Sequence, residues 1–283
     1  MSHHIDELFA ALQRLIPQHA LSRLLGKIAD CENTTLKNAL IRAAVRHYGI
    51  DLSEAREPEP ERYPSFNAFF TRHLSDSARP IDPSNNGLAS PADGTVSQFG
   101  TIENGQLIQA KGFHFDLTRL LGPLESDISC LEAGSFATIY LSPRDYHRVH
   151  MPCDGTLLET LYIPGKLFSV NDTTTRYIPG LFSRNERLVC WFDSPMGKIA
   201  VVLVGALFVA GIGTVWQDSY SPRHLQHQRF ESPTSYVKGQ EIGHFRFGST
   251  VIVATEKTLA FDSALKNGET VRMGSLLARF TQQ

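Results

Sequence analysis

The stretch Ile199-Ala-Val-Val-Leu-Val-Gly-Ala-Leu-Phe-Val209 is the longest strongly apolar run in a chain of 283 residues. Its first part, residues 199–204, is rich in β-branched side chains and is followed by a glycine, which is typical of a buried strand. The whole run is about half as long as the roughly 20 apolar residues that a membrane-spanning helix needs. We therefore expect a β-rich core and no segment that crosses a bilayer.

Further short β-like segments lie on both sides of this run and are separated by Gly, Pro, Asp and Asn. They are Thr95–Phe99, Ala137–Leu141, Val189–Phe192 and Val251–Ala254.

The first fifty residues have a different pattern, in which apolar side chains recur at helical spacing. Three such stretches, Ile5–Ile16, Leu21–Ile28 and Leu36–Tyr48, predict amphipathic helices, with Thr34 and Thr35 as candidate caps of the third. A short helix is also predicted at Phe66–Phe70.

These patterns predict an α+β protein in which amino-terminal amphipathic helices precede a β-rich catalytic core. The domains expected are a helical module at 1–50, an acidic, Pro-rich connection at 51–64 and the core at 65–283.

Charge and cysteine content exclude several classes of protein. Lys and Arg number 27 against 29 Asp and Glu, so the net charge of −2 argues against a nucleic-acid binder. The four cysteines, at 31, 130, 153 and 190, lack the paired spacing of zinc or redox motifs, which favours a reducing compartment. The opening residues do not resemble a secretory signal, and the histidine pairs 3–4 and 224/227 have no acidic or cysteine partners at ligand spacing, so no metal site is predicted.

The helical module has two interpretations. Amphipathic helices usually bury their apolar stripe on their own domain. Residues 1–50 also carry six Lys or Arg against four acidic residues, and a helix that lies on a membrane uses the same stripe and basic edge. Periodicity alone leaves both open.

Three clusters carry the candidate chemistry. They are Ser90-Pro-Ala-Asp-Gly-Thr95, Tyr146-His-Arg-Val-His-Met-Pro152 and Phe245-Arg-Phe-Gly-Ser-Thr250. Together they supply an Asp, two His and a Ser, which are the residue types of an activated nucleophile. Each cluster alone also has an ordinary reading, since Asp-Gly and Gly-Ser are common turn dipeptides, and two histidines three residues apart point to opposite faces of a regular strand.

The combination and order of the clusters resemble the phosphatidylserine decarboxylases, a family of self-processing pyruvoyl enzymes. The resemblance extends to Phe66-Asn-Ala-Phe-Phe-Thr-Arg72, Pro164-Gly-Lys-Leu-Phe-Ser-Val-Asn171 and Arg184-Asn-Glu-Arg187. One difference is Phe247, where the family usually has Leu before Gly-Ser-Thr. The position stays apolar, so we expect an effect on local packing rather than on chemistry.

The resemblance implies a precursor that cuts itself. Ser249 would attack the carbonyl of Gly248 to form an ester, and β-elimination would then yield a β chain of residues 1–248 and an α chain of residues 249–283. Residue 249 would become a covalent pyruvoyl group, the only cofactor expected. Asp93, His150 and Ser249 are the implied self-cleavage triad, with His150 as the base and the Asp93 carboxylate on its other ring nitrogen. We also expect Gly248 to provide the unusual backbone freedom that such an attack needs.

In the mature enzyme, the resemblance implies a Schiff base between the pyruvoyl group and phosphatidylserine, with phosphatidylethanolamine and CO₂ as products. His147 is the implied proton donor or substrate-positioning residue. A homodimer and a peripheral position on the cytoplasmic face of the cell membrane are also implied. The helical module would then provide the membrane contact.

Three alternative functions fit parts of the sequence. A serine hydrolase could use Asp93, His150 and Ser249, but the chain lacks a G-x-S-x-G elbow at this serine. A pyruvoyl decarboxylase of a soluble amino acid would not need the amino-terminal helices. A carrier domain is suggested by Lys238-Gly-Gln-Glu-Ile-Gly243, although the attachment turn of such domains is missing.

Overall fold

A computed structural model describes residues 13, 17–110, 113–207, 211–220, 223–246 and 248–281. The predicted helix Ile5–Ile16 lies outside the described residues except for Gln13. The other three predicted helices are confirmed as α1 (Gln18–Ala29), α2 (Thr34–Tyr48) and α3 (Phe66–Phe70).

The cap of α2 differs from the prediction. The Asn33 side chain accepts a hydrogen bond from the Leu36 amide at 3.1 Å, so Thr34 and Thr35 lie inside the first turn. Asn is as good a cap as Thr because its short side chain reaches the free amides of that turn. The helix ends at Gly49, whose φ of 65° suits a residue without a Cβ.

Helix α1 is inverted relative to an ordinary surface helix. Its buried residues are Gln18, Ser22 and Gly26, whereas Leu24 and Ile28 are 57% and 37% exposed. Gln18 fixes this orientation because its side-chain oxygen accepts a hydrogen bond from the Leu167 amide at 2.8 Å. The polar face of α1 therefore packs on the protein, and part of its apolar stripe faces outward.

The acidic, Pro-rich segment 51–64 is more than an exposed connection. Leu52, Ala55 and Tyr63 are buried in one cluster with α2 and α3. A short 3₁₀ helix, Pro60–Arg62, also lies against α2. The few apolar residues of this segment thus attach the helical module to the rest of the chain.

The core is β-rich, as predicted. The strands are β1 (Gly87–Ala89), β2 (Gly94–Thr101), β3 (Gln106–Ala110), β4 (Phe113–Asp116), β5 (Ser135–Leu141), β6 (Arg148–His150), β7 (Gly155–Ile163), β8 (Arg187–Ser194), β9 (Gly197–Gly205), β10 (Ile212–Thr214), β11 (Gln226–Tyr236), β12 (Glu241–Phe245), β13 (Ser249–Thr255), β14 (Leu259–Phe261), β15 (Thr270–Val271) and β16 (Leu276–Phe280). Between them lie α4 (Leu117–Leu121), the 3₁₀ helix Ile128–Leu131, α5 (Asp172–Tyr177) and α6 (Leu181–Arg184). The five predicted segments lie within the slightly longer strands β2, β5, β8, β9 and β13, whereas the other strands were not predicted.

An antiparallel eight-stranded sheet in the order β11-β7-β8-β9-β13-β5-β2-β15 forms the centre of the molecule. Strand β13 lies inside it, and all seven of its residues are paired on both sides. Val251 and Val253 enter one apolar cluster, while Ile252 and Ala254 enter the other. This burial on both faces explains why the sequence of β13 reads as a continuous apolar run.

Smaller elements cover the two faces of the large sheet. On the side of Val251 and Val253, two three-stranded sheets, β10-β12-β6 and β1-β16-β14, share the apolar cluster. The opposite cluster is completed by α4, α6 and the β3-β4 hairpin. Among the described residues, no helix has the length and apolarity needed to cross a membrane.

Candidate active site

Strand β5 brings the three sequence clusters to one end of the large sheet. Its last residue, Leu141, is paired with Ser249 at the start of β13, and the preceding Tyr140 is paired with Thr95 of β2. Neighbouring strands are about 4.8 Å apart, so the backbones of residues 93–94 and 249 lie about 10 Å apart on either side of β5. After β5 the chain turns through residues 142–147 into β6, which places His147 and His150 at the same end.

The Ser249 side chain is fully buried and has no hydrogen-bond partner among the described residues. As the first residue of β13, it has the strand parity of Val251 and faces the layer formed by β10, β12 and β6. A buried hydroxyl without a partner costs about 1–3 kcal/mol. Such a cost at a potential nucleophile points to chemistry rather than to stability.

Gly248 does not show the expected steric need for glycine. A Cβ built on it would meet the Leu141 carbonyl oxygen at 3.9 Å, which is an ordinary contact. The expectation of strain at Gly248 is therefore wrong for this state of the chain. Phe247, the position at which the family's usual Leu is replaced, lies outside the described residues.

His150 is buried, and both of its ring nitrogens are occupied. Its Nδ1–H donates to the Gly239 carbonyl at 2.8 Å, so Nε2 accepts from the Tyr146 hydroxyl at 3.1 Å. Burial lowers the pKa of His150, which keeps the ring neutral near pH 7. This ring has the protonation state and tautomer of a general base that acts through Nε2.

The carboxylate of Asp93 pairs with an arginine instead of with His150. Arg79 Nε donates to Asp93 Oδ1 at 2.8 Å and Arg79 Nη2 donates to Oδ2 at 2.5 Å, while the Met273 amide also donates to Oδ1. The expected Asp93–His150 hydrogen bond is therefore wrong here, because the Gly239 carbonyl takes the place of a carboxylate on Nδ1. The Asp93 charge still opposes the lowering of the His150 pKa through space.

The backbone around Asp93 keeps it beside the histidines. The amide of His150 donates to the Pro91 carbonyl at 2.8 Å, which ties β6 to the loop that carries Asp93. Gly94 follows, and a Cβ there would overlap the Tyr140 carbonyl oxygen of β5. The Asp-Gly dipeptide is thus needed for the close approach of two strands, in addition to forming a turn.

His147 is fully buried, and its ring stacks obliquely on Phe70 of α3 with centroids 4.1 Å apart. Its Nδ1–H donates to the Asp145 carbonyl at 2.8 Å, and Nε2 has no partner among the described residues. Burial lowers the pKa of His147 to about 3. Its Nε2 is therefore an acceptor at neutral pH and must first take a proton before it can donate one.

Several residues of the site were not singled out by the sequence. Arg79 fixes Asp93, Gly239 fixes the His150 tautomer, and Arg72 Nη2 donates to the Arg144 carbonyl in the turn before His147 at 3.1 Å. These contacts join residues far apart in the chain, so no local spacing indicates them. Arg72, Tyr146 and Gly239 each lie in one of the sequence motifs, but the role of each depends on a fold that brings it to the histidines.

Comparison with known proteins identifies the family. The family model described as "Phosphatidylserine decarboxylase" matches residues 66–279, and a second model, described as "PSD", matches residues 8–49. The chain belongs to the phosphatidylserine decarboxylase family. All the candidate site residues lie within the first matched region, whereas α1 and α2 lie entirely within the second.

Individual members of the phosphatidylserine decarboxylase family match nearly end to end. A phosphatidylserine decarboxylase proenzyme of Azotobacter vinelandii is 48% identical over 97% of this chain and 98% of its own length. Proenzymes of the same name from Acinetobacter baylyi and Alcanivorax borkumensis are each 49% identical, over 97% and 98% of this chain and 96% and 98% of their own lengths. The family resemblance predicted from the sequence is therefore confirmed.

Proposed function

We propose that this chain is the precursor of a membrane-peripheral phosphatidylserine decarboxylase that cuts itself between Gly248 and Ser249. The observation that carries the proposal is the fully buried, unpartnered hydroxyl of Ser249, which directly follows a glycine at the start of an inner strand. The same hydroxyl satisfies the requirement for a covalent pyruvoyl group, since that group is made from a serine at this position.

The self-cleavage assigns one step to each residue. His150 Nε2 takes the proton of the Ser249 hydroxyl as its oxygen attacks the Gly248 carbonyl carbon, and the proton passes to the nitrogen of residue 249 as the peptide bond breaks. His150, neutral again after this transfer, takes the α-carbon proton of residue 249, so the Cβ–oxygen bond breaks and Gly248 leaves as a carboxylate. Residue 249 is then a dehydroalanine, which regains a proton at Cβ and becomes an imine. Water then replaces the nitrogen of residue 249, which departs as ammonia.

One local movement is needed for this step. Because Tyr146 donates to His150 Nε2, its hydroxyl must turn away before Nε2 can accept a proton from Ser249. The Asp93 charge stabilises the imidazolium that then forms, either through space or after moving from Arg79.

In the mature enzyme, a pyruvoyl group at position 249 would supply a carbonyl that accepts the electrons released from the substrate as CO₂ leaves. His147 is the residue that we assign to the substrate. The Asp145 carbonyl and the Phe70 ring hold its imidazole in place. Its neutral Nε2 accepts a hydrogen bond or a proton from the substrate and later gives the proton back.

The membrane contact is supported by the inverted helix α1. Leu24 and Ile28 are exposed, and Arg23 and Lys27 lie beside them on the next rows of the helix. Apolar side chains flanked by cations suit an anionic lipid surface. A peripheral position on the cytoplasmic face, and a homodimer, complete the proposal as the family resemblance implies them.

Intact mass and gel electrophoresis of the purified protein test the cleavage. We expect two fragments, residues 1–248 and 249–283, with the smaller blocked at its amino end by loss of its amine. Ser249→Ala and His150→Ala should remain single chains, whereas the matched control Ser263→Ala, at an exposed serine, should cleave normally. Normal processing of Ser249→Ala would overturn the proposal.

The lipid activity needs its own measurement. We expect wild-type protein to release CO₂ from phosphatidylserine, and His147→Ala to cleave itself but decarboxylate poorly. A stable single chain that hydrolyses esters would instead favour the serine hydrolase. Equal activity on free serine would favour the soluble amino-acid decarboxylase.

A further inference from the structure

A cavity of about 300 Å³ lies between helix α1 and the core. Helix α1 contributes Ser22, Arg23 and Lys27 to its lining, and Leu167 and Glu186 lie across from them. The cavity is therefore built by the inverted packing of α1, because an ordinary helix would place apolar side chains there.

The polar groups of this cavity suit an anion. Ser22 is 5% exposed, and its hydroxyl has no hydrogen-bond partner in the described part of the chain. Arg23 and Lys27 are exposed at the rim, where no ion pair to another described residue involves them. Two cations and a free hydroxyl donor thus point to one space.

The lining also carries two acidic residues, Asp30 and Glu186. The Asp30 carboxylate accepts a hydrogen bond from the Asn67 side chain at 2.6 Å. Burial raises the pKa of Glu186, which favours its neutral form. With Glu186 neutral, Arg23 and Lys27 outnumber the single Asp30 carboxylate in the lining by one positive charge.

The inner end of the cavity lies one strand away from Ser249. Gly205, at the end of β9, is paired with Ser249 in the large sheet. A Cβ on Gly205 would lie 3.4 Å from the Glu186 carbonyl oxygen and 3.7 Å from Leu167 Cδ2, and both of those residues line the cavity. Paired residues of neighbouring strands face the same side, so Ser249 faces the side on which Leu167 lies.

The outer end of the cavity is continuous with the proposed membrane contact. Leu24 and Ile28 are exposed on the same helix and adjoin the two rim cations in sequence. The cavity is therefore bordered by exposed apolar side chains and two cations at its rim, by the buried Ser22 hydroxyl, and by Leu167 and Glu186, which contact the strand neighbour of Ser249.

We infer that this cavity binds the phosphodiester of the substrate's glycerophospholipid head group, with Arg23 and Lys27 at the phosphate and Ser22 as an inner donor. The inference rests on the proposed function, since it places the serine part of the head group towards residue 249. It adds a substrate-binding site on α1 to that function.

The decisive substrate is a short-chain phosphatidylserine, used below its critical micelle concentration so that no membrane surface is present. In the variant Arg23→Gln/Lys27→Gln we expect KM to rise about tenfold, as two partly exposed charged contacts would give, with kcat within about twofold. The matched control Arg119→Gln/Lys266→Gln removes two exposed cations elsewhere and should leave KM unchanged. Mass spectrometry confirms complete self-cleavage of each variant.

A normal KM for this monomeric substrate in Arg23→Gln/Lys27→Gln would overturn the site, even if binding to vesicles weakened, because general surface electrostatics would then account for the cations. Ser22→Ala should raise KM a few-fold, and the exposed Ser263→Ala serves as its control.

Binding to the uncleaved Ser249→Ala precursor separates the two proposals. Glycerophosphoserine, the deacylated head group, should bind this precursor and should lose affinity in the Arg23→Gln/Lys27→Gln background. Equal binding of inorganic phosphate would show a general anion site and contradict a head-group site. Wild-type activity on phosphatidylserine without glycerophosphoserine binding would overturn this inference alone, whereas head-group binding without such activity would overturn the proposed function.

Discussion

The pair formed by Arg79 and Asp93 allows a quantitative test of how the site is held. The two side chains are 7% and 11% exposed and are joined by two hydrogen bonds of 2.8 and 2.5 Å. Arg79 has a second carboxylate partner, Glu54, at 2.8 Å, whereas Asp93 otherwise accepts from the Met273 amide. Removing Arg79 and removing Asp93 should therefore lower the free energy of unfolding by different amounts.

We expect Arg79→Met to destabilise the fold by about 3–5 kcal/mol, because it leaves a buried carboxylate without its cation. Asp93→Asn should cost about 1–2 kcal/mol, because Arg79 keeps its bond to Glu54. The double variant should cost about 2 kcal/mol less than the sum of the two, which is the coupling expected for a buried, directly hydrogen-bonded pair.

Urea unfolding measures these costs, with every variant placed in the Ser249→Ala background so that one uncut chain unfolds each time. The exposed pair Lys198–Asp193, joined at 2.7 Å with exposures of 36% and 55%, is the matched control and should couple by less than about 1 kcal/mol. Additivity of Arg79→Met and Asp93→Asn within about 0.5 kcal/mol, or a larger cost for Asp93→Asn, would refute the reasoning.

Three further predictions test other parts of the molecule. Burial holds the pKa of His147 at about 3 in the folded chain, against 6.5 in the unfolded chain. Between these pH values only the unfolded chain binds the extra proton, so stability falls by up to about 1.4 kcal/mol per pH unit as the pH drops from 6.5 towards 3. His147→Gln should make this slope smaller when the free energy of unfolding is measured by urea titration at several pH values. Leu24→Ser/Ile28→Ser should lower partitioning onto phosphatidylserine vesicles at least tenfold in a flotation assay, because apolar burial in the membrane is lost. The unfolding midpoint of this variant should not change. The control Leu225→Ser, at a residue on the core that is 49% exposed, should not lower vesicle partitioning. Gly94→Ala should destabilise the fold by about 1–3 kcal/mol through overlap with β5 and slow self-cleavage in a gel time course; unaltered processing would show that the strand approach is not needed.

The pattern of the fold could be read from the sequence because apolar runs and helical stripes are local signals. The run at Val251–Ala254 predicted a short strand and lies within β13, whose burial on both faces only the structure shows. The face of α1 that packs against the core could not be predicted in the same way. Its stripe of apolar residues indicated a helix, but which face packs inward depends on a hydrogen bond from a residue far along the chain, at Leu167.

The same limit applied to the candidate site. The Asp, His and Ser residues were found because each lies in a distinct short motif, and the sheet register does bring them to one end. The partner of each side chain was not predictable, because Arg79 and Gly239 meet Asp93 and His150 only after folding. A truncation of residues 1–50 would be a poor test of membrane contact, since Ile41 is buried in one cluster with Phe69 and Phe70.

If the chain cuts itself as proposed, the position of the cut within the large sheet would make the cleaved protein unable to refold readily. Cleavage before Ser249 would leave residues 249–283 as a separate chain that holds an inner strand, β13, and three further strands paired with the other fragment or with one another. The small chain could dissociate only if β13 broke its hydrogen bonds to both β5 and β9. The continuous precursor would therefore have to fold before cleavage. A mature molecule that unfolds would have to reassemble from two separate chains, without the covalent link that was present when the precursor folded.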